Sequence, residues 1–202
     1  MTESEAALRG NLRKYESRNP LQQFFIRRFL KKVRSVVSDL PPGPVCEAGC
    51  GEGFVLRNLT EHGLLENRIA VGMDLDNGAL AFASAHVPGI SFACSSIYDL
   101  PFRQKEFECV ILLEVLEHLE SPGRALSEAV RVGKSLLVSV PHEPFFRTAN
   151  FLRGKNLHRL GDDPEHIQHW GARSFLRLLG PYGEVQKFYA PFPWLLAFVK
   201  AG

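Results

Sequence analysis

The sequence predicts a doubly wound α/β fold, and three observations predict it. Short apolar runs without strict alternation recur along the chain, as parallel strands covered on both faces require. Segments of helical length and apolar spacing separate them. The first of these runs ends in a cluster of glycines, where a strand must turn sharply into a helix.

Taken in order, the chain opens with a polar stretch and then an amphipathic helix. Leu21, Phe24, Phe25, Phe29, Leu30, Val33, Val36 and Val37 approximate its apolar stripe, with Arg27, Arg28, Lys31, Lys32 and Arg34 elsewhere around it. That pattern reads as a packing helix with a solvated basic face. Residues 1–40 form a helical cap on a domain covering 41–202. Its first five strands are expected at Val45 to Ala48, Ile69 to Met73, Ile90 to Cys94, Cys109 to Leu113 and Ser135 to Val140. The intervening helices are expected at Phe54 to His62, Asn77 to His86 and Pro122 to Val132.

After residue 141 the rhythm breaks. A polar segment with interspersed aromatics, about 141–165, is too long for an ordinary connection and reads as a lid or substrate-binding insertion. In it, Phe145, Phe146 and Phe151 suit an apolar substrate, while Arg147, Arg153, Lys155 and Arg159 suit carboxylate or phosphate. A helix at Ala172 to Leu179 and strands at Glu184 to Ala190 and Trp194 to Lys200 follow. The Pro191-Phe192-Pro193 link is too short for a crossover helix, so these last strands are expected to pair antiparallel as a hairpin.

Composition narrows the classes. With 202 residues and 45% hydrophobic content, the chain can bury one substantial core. A net charge of +2 gives no global electrostatic reason to invoke nucleic acid or an anionic membrane. No apolar run reaches the length of a transmembrane span and no secretory signal is visible, so a soluble, cytoplasmic protein is expected. Cys46, Cys50, Cys94 and Cys109 lack paired metal-site spacing and read as reduced, buried thiols.

The stretch Val45-Cys46-Glu47-Ala48-Gly49-Cys50-Gly51-Glu52-Gly53 carries the strongest chemistry. Its spacing differs from the dinucleotide fingerprint G-x-G-x-x-G, and an acid stands two positions before the first glycine. A carboxylate there would repel pyrophosphate. It would attract the ammonium and sulfonium of S-adenosylmethionine.

The chain resembles the class I S-adenosylmethionine-dependent methyltransferases, in particular the ubiquinone and menaquinone biosynthesis group, over most of residues 45–200. That resemblance implies a Rossmann-like, seven-stranded mixed sheet with one reversed strand, and S-adenosylmethionine as cofactor. Glu47-x-Gly49-x-Gly51-x-Gly53 matches the family's first motif, and Val71-Gly72-Met73-Asp74 its second. Asp74 is thereby implied as the ribose ligand, with Leu75 beside it. Ser96-Ile97 falls where a family Asp and its neighbour contact adenine; the hydroxyl of Ser96 brings no charge there. Glu114 is implied at the methionine end of the cofactor, and Tyr15 and Asn19 as residues that close over it. Asp76 reads as a helix cap, and Asp99-Leu100-Pro101-Phe102 as a structural turn.

Beyond the fourth strand, Glu114-Val115-Leu116-Glu117-His118 would place positions 114, 117 and 118 on one face if a helical turn begins there. Two carboxylates and an imidazole suit either acid/base work by Glu117 and His118 or a divalent ion such as magnesium. The Glu-x-x-Glu-His pattern also resembles metal-binding ubiquinone-pathway O-methyltransferases and small-RNA terminal ribose methyltransferases, which would make His166 a fourth ligand. His142, just after the fifth strand, is a second general-base candidate.

These readings converge on methyl transfer to a small molecule, at oxygen and by in-line displacement, with no obligatory nucleic acid. Alternatives are a metal-dependent RNA ribose methyltransferase, a non-catalytic cofactor-binding module and a nicotinamide-dependent reductase. The Asn/Asp-Pro-Pro-aromatic motif of many amino-group methyltransferases is absent after the fourth strand, and no cysteine stands as an obvious nucleophile.

Overall fold

The computed structural model describes residues 19–143 and 167–202. Helix α1 (Pro20–Ser38) precedes β1 (Val45–Ala48), α2 (Phe54–Glu61), β2 (Ala70–Asp74), α3 (Asn77–His86), β3 (Ser91–Cys94) and β4 (Cys109–Leu113). A 3-10 turn (Leu116–His118), α4 (Pro122–Val132), β5 (Ser135–Pro141), α5 (Ala172–Leu179), β6 (Gly183–Tyr189) and β7 (Trp194–Ala201) follow. The strands form one seven-stranded sheet in the order β3-β2-β1-β4-β5-β7-β6. Pairs β3/β2, β2/β1, β1/β4 and β4/β5 are parallel, whereas β7 runs antiparallel to both β5 and β6. The terminal hairpin and the reversed strand thus stand as expected. Strand order reverses between β1 and β4, and their carboxyl ends meet there, where open α/β sheets bind ligands.

Local rules account for the helix starts. Asn19 caps α1 by accepting from the N–H groups of Leu21 and Gln22 at 3.0 and 3.2 Å, and Pro20 needs no partner at the first helical position. Asp76 caps α3 by accepting from Gly78 and Ala79, the role its position implied. The Asp99–Phe102 turn is clamped from α4: Glu128 accepts the Leu100 N–H at 2.8 Å, and Arg131 donates to the Leu100 and Phe102 carbonyls. Phe102 packs edge-on against the buried Phe107.

Apolar side chains fill both faces of the sheet. One face takes α1 through Ile26, Phe29, Leu30, Val33, Val36 and Val37. The Phe29 ring lies 5.0 Å from Trp194, and Phe25 lies 5.1 Å from Phe192 in the hairpin link. Ile26 therefore belongs to the buried stripe, while Leu21 and Phe24, expected in it, are 56% and 53% exposed. Their positions fall a turn too early and on the outer side. Residues of α1 share this core with residues of β1 and α2.

Edge position corrects one expectation. Cys46, Cys50 and Cys109 are buried and burial raises each thiol's pKa, to about 12 for Cys46 and Cys109. Cys94 is exposed instead, because β3 is the last strand of its side and lacks a covering neighbour. At the amino ends of β4 and β5, Lys105 Nζ donates to the Gly202 carbonyl at 3.0 Å and the Ala201 N–H donates to the Lys134 carbonyl. Among the described residues, no helix is long and apolar enough to cross a membrane.

Candidate active site

The loop after β1 is built by its glycines. Gly49, Gly51 and Gly53 all have positive φ, at 80°, 50° and 72°, a region that other residues enter at a cost. A Cβ at Gly49 would stand 2.5 Å from Val115 Cγ2, so the loop after β1 closes against the segment after β4 only because that atom is missing. The N–H groups of Gly49 and Cys50 donate to the Met73 carbonyl at 2.7 and 3.0 Å, tying the loop to β2.

Glu47 lies under this loop, 3% exposed, and its Oε2 has no hydrogen-bond partner among the described residues. Burial raises its pKa to about 8, against a lowering by a Leu56 backbone hydrogen bond, and the Asp74 charge adds to the rise. A buried carboxyl with a spare oxygen beside a ligand loop is a receptor for a cation.

Asp74, at the end of β2, is fixed at both oxygens. Oδ2 accepts the Gly51 N–H at 2.7 Å and Oδ1 accepts the Asp76 N–H at 2.9 Å. Each oxygen retains a lone pair for a hydroxyl, which suits a ribose edge. Leu75 beside it is 65% exposed, while Ile97 across the site is buried. The two offer apolar surface of the kind a base needs. Ser96 Oγ accepts the Tyr98 N–H at 3.2 Å, so the hydroxyl that stands in for a carboxylate also shapes its own turn.

After β4 the chain departs from the expected helical turn. Glu114 has φ of 56°, and its N–H is shared between the carbonyl and Oγ of Ser139, at 3.3 and 3.1 Å. A non-glycine residue held there stores strain of the kind that gathers at ligand sites. The 3-10 turn begins only at Leu116. With about three residues per turn, its successive side chains diverge. Glu114 is half-buried, Glu117 buried and His118 exposed. Among the described residues, no group of three or more His, Cys, Asp or Glu is placed to hold a metal ion, and the expected Glu114, Glu117 and His118 set does not form one. His166, the fourth expected ligand, lies outside the described residues, as do Tyr15 and the aromatic and basic residues of the 144–165 segment.

Glu117 instead anchors the backbone beyond that segment. Its carbonyl accepts the N–H groups of Ile167 and Gln168 at 2.9 and 3.2 Å. His142 is half-buried just past β5, bridged to Trp170, and its N–H donates to the Pro193 carbonyl at 2.9 Å. Burial lowers its pKa, which keeps the imidazole neutral and able to accept a proton. The structure brings Glu47, the glycine loop and Asp74 into one cluster, with Glu114 beside it across the Gly49–Val115 contact.

Sequence reasoning missed Val115 and Ser139. A large β-branched residue opposite a glycine, and a serine in an otherwise apolar strand, were the available signals. The clamp of Arg131 and Glu128 was also missed; their (i, i+3) spacing on a helix was its trace.

Comparison with known proteins agrees with this geometry. Residues 46–136 match the family described as "Methyltransferase domain". The chain is 32% identical over 104 residues to the ubiquinone biosynthesis O-methyltransferase of Rickettsia bellii, covering 51% of this chain and 41% of that protein. It is 30% identical over 105 residues to a protein of Mycolicibacterium smegmatis named as an S-adenosylmethionine-dependent methyltransferase, covering 50% of this chain and 39% of the other. The matches therefore span about two fifths of these curated relatives. Among solved structures, the magnesium protoporphyrin IX methyltransferase of Synechocystis PCC 6803 with bound S-adenosylhomocysteine superposes with a TM-score of 0.72 at 17% identity, covering 99% of this chain and 95% of the other. A protein of Bacillus halodurans C-125 described as a methyltransferase superposes with a TM-score of 0.63 at 22% identity, covering 79% of this chain and 71% of the other. The glycine loop under Val115, the buried Glu47 and the pinned Asp74 all fall within the segment that matches the methyltransferase-domain family, which is the family this chain is similar to.

Proposed function

We propose that this chain binds S-adenosylmethionine and transfers its methyl group, in line, to an oxygen of a small-molecule acceptor. The observation that carries the reading is Glu47: a buried carboxyl with an unused oxygen, beneath a loop whose shape depends on three left-handed glycines. A cationic ligand is what such a group lacks. When bound, the cofactor supplies an electrophilic methyl on a sulfonium.

The chain's own residues then divide the work. Glu47 and Glu114 hold the amino-acid end, Asp74 the ribose, and Leu75, Ser96 and Ile97 the base. His142 takes the acceptor's hydroxyl proton on a ring nitrogen, with His118 as the second candidate on the opposite side of the turn. Glu117 serves by position, through the backbone it fastens. Acceptor oxygen is favoured by the O-methyltransferase name of the Rickettsia relative and by the absence of an Asn/Asp-Pro-Pro-aromatic motif after β4. Holding acceptor and donor in line supplies much of the rate, since good alignment is worth on the order of 7 to 11 kcal/mol.

The test is transfer of labelled methyl from S-adenosylmethionine into separated small-metabolite, lipid and RNA fractions, with magnesium or a chelator. Label in a small-molecule or lipid fraction, insensitive to chelator, is the expected result. Label confined to RNA, or none despite measured binding of S-adenosylhomocysteine, overturns it.

A further inference from the structure

The outer face of α1 takes no part in the proposed methyl-transfer site. Leu21, Phe24, Arg27, Arg28, Lys31, Lys32 and Ser35 are all exposed, and they recur at the spacing of one helix side. The buried stripe through Ile26, Phe29, Leu30, Val33 and Val37 lies opposite. Five cations and no acid stand on this helix, in a chain whose net charge is only +2. The one carboxylate at its end, Asp39, is held by Lys187 at 2.6 Å.

The apolar part is continuous rather than scattered. The Phe24 ring meets Phe25 edge-on at 5.6 Å, Phe25 meets Phe192 at 5.1 Å, and the Arg28 guanidinium lies over Phe24. Phe192 belongs to the link that starts β7, and Trp194 pairs with Pro141 at the carboxyl end of β5. The exposed Phe24 and the half-buried Phe25 and Phe192 therefore gather at the same end of the sheet as the glycine loop. Cations continue from them along the helix.

We propose that this face of α1 seats the protein on an anionic membrane surface, Leu21 and Phe24 entering the interface and Arg27, Arg28, Lys31 and Lys32 meeting phosphate headgroups. Helices that lie in the interface combine such an apolar edge with flanking Lys and Arg. A polyanion such as RNA would use the cations but would leave an exposed leucine and phenylalanine one turn apart without a use, which is why the bilayer is preferred. The inference stands apart from methyl transfer, since partition to a vesicle is measured without any acceptor.

The experiment is co-sedimentation of the full chain with phosphatidylcholine vesicles and with vesicles also containing phosphatidylglycerol, at low and high salt. Binding is expected only with the anionic lipid, and to weaken as salt rises. Reversing Arg27, Arg28 and Lys31 to Glu is expected to cut partition roughly a hundredfold, at roughly fivefold per cation. The pair Leu21→Ser and Phe24→Ser is expected to cut it by about tenfold, with the Tm of both variants unchanged because these side chains face solvent. No binding to anionic vesicles, equal binding to both vesicle types, or parental binding by both variants overturns the proposal. So does binding of a short RNA, or self-association through this face, in place of vesicle partition.

Discussion

The Gly51 N–H donates to Asp74 Oδ2 at 2.7 Å, while the other oxygen of the same carboxylate accepts the Asp76 N–H. One side chain therefore holds the loop after β1 and the start of α3 together. Asp74→Asn must turn an amide N–H toward one of these donors. A hydrogen bond lost in that way costs about 1 to 3 kcal/mol, which is roughly 2 to 10 °C in a domain of this size. We expect a Tm fall in that range and weaker S-adenosylhomocysteine binding by calorimetry; an unchanged Tm would disprove the double anchoring.

Glu47 predicts a proton linkage. Its pKa in the empty protein is raised to about 8, above the ordinary 4.5, so the folded state holds more protons than the unfolded state between these values. Its contribution to stability is complete below 4.5 and is lost as pH rises through 8. A ligand ammonium ionises the group, so binding of S-adenosylhomocysteine near pH 7 is expected to release about one proton. Calorimetry in buffers of different ionisation enthalpy measures this, and Glu47→Gln abolishes the release while weakening binding by about ten- to a hundredfold. Equal heats in all buffers would contradict it.

Glu114 separates stability from binding. At its φ of 56°, glycine relieves strain of about 1 to 3 kcal/mol but adds backbone entropy of about 0.5 to 1. Glu114→Gly is therefore expected to keep or raise Tm while lowering affinity for S-adenosylhomocysteine at least tenfold. A fall in Tm with affinity intact reverses the assignment.

His142 bears on the pH profile. Burial lowers its pKa from the ordinary 6.5. As a base, it is active when deprotonated, so kcat/KM is expected to rise with pH up to the lowered pKa and then level off. The same shift means that the folded state gives up stability as pH falls through the ordinary histidine range, where the unfolded chain gains the proton first. His142→Gln is expected to flatten the acid limb of kcat/KM and lower the plateau about a hundredfold; an acid limb that persists would assign the base elsewhere.

Most of the fold was legible because it is written in local pattern. The apolar runs, the glycine loop and the short Pro191–Pro193 link placed the strands within a residue or two and paired the hairpin correctly. What failed was orientation. A helical turn starting at Glu114 was the condition for reading Glu114, Glu117 and His118 as one face; the positive φ at Glu114 delays the turn to Leu116. Phe24 and Ile26 exchanged places because α1 packs inward through Ile26, Phe29 and Val33, with Phe29 against Trp194. Ser139 stood out as a polar residue in β5, but its partner did not, because the Glu114 amide comes from the segment after β4.

The reversed strand β7 has a practical consequence. It carries the chain from the Pro141 end of β5 back to its Ser135 end, where Gly202 is held beside Lys105. Polypeptide joined after Gly202 would leave from the floor of the sheet, on the side remote from the glycine loop. An affinity handle or a fluorescent reporter attached there would leave the glycine-loop end of the sheet unobstructed.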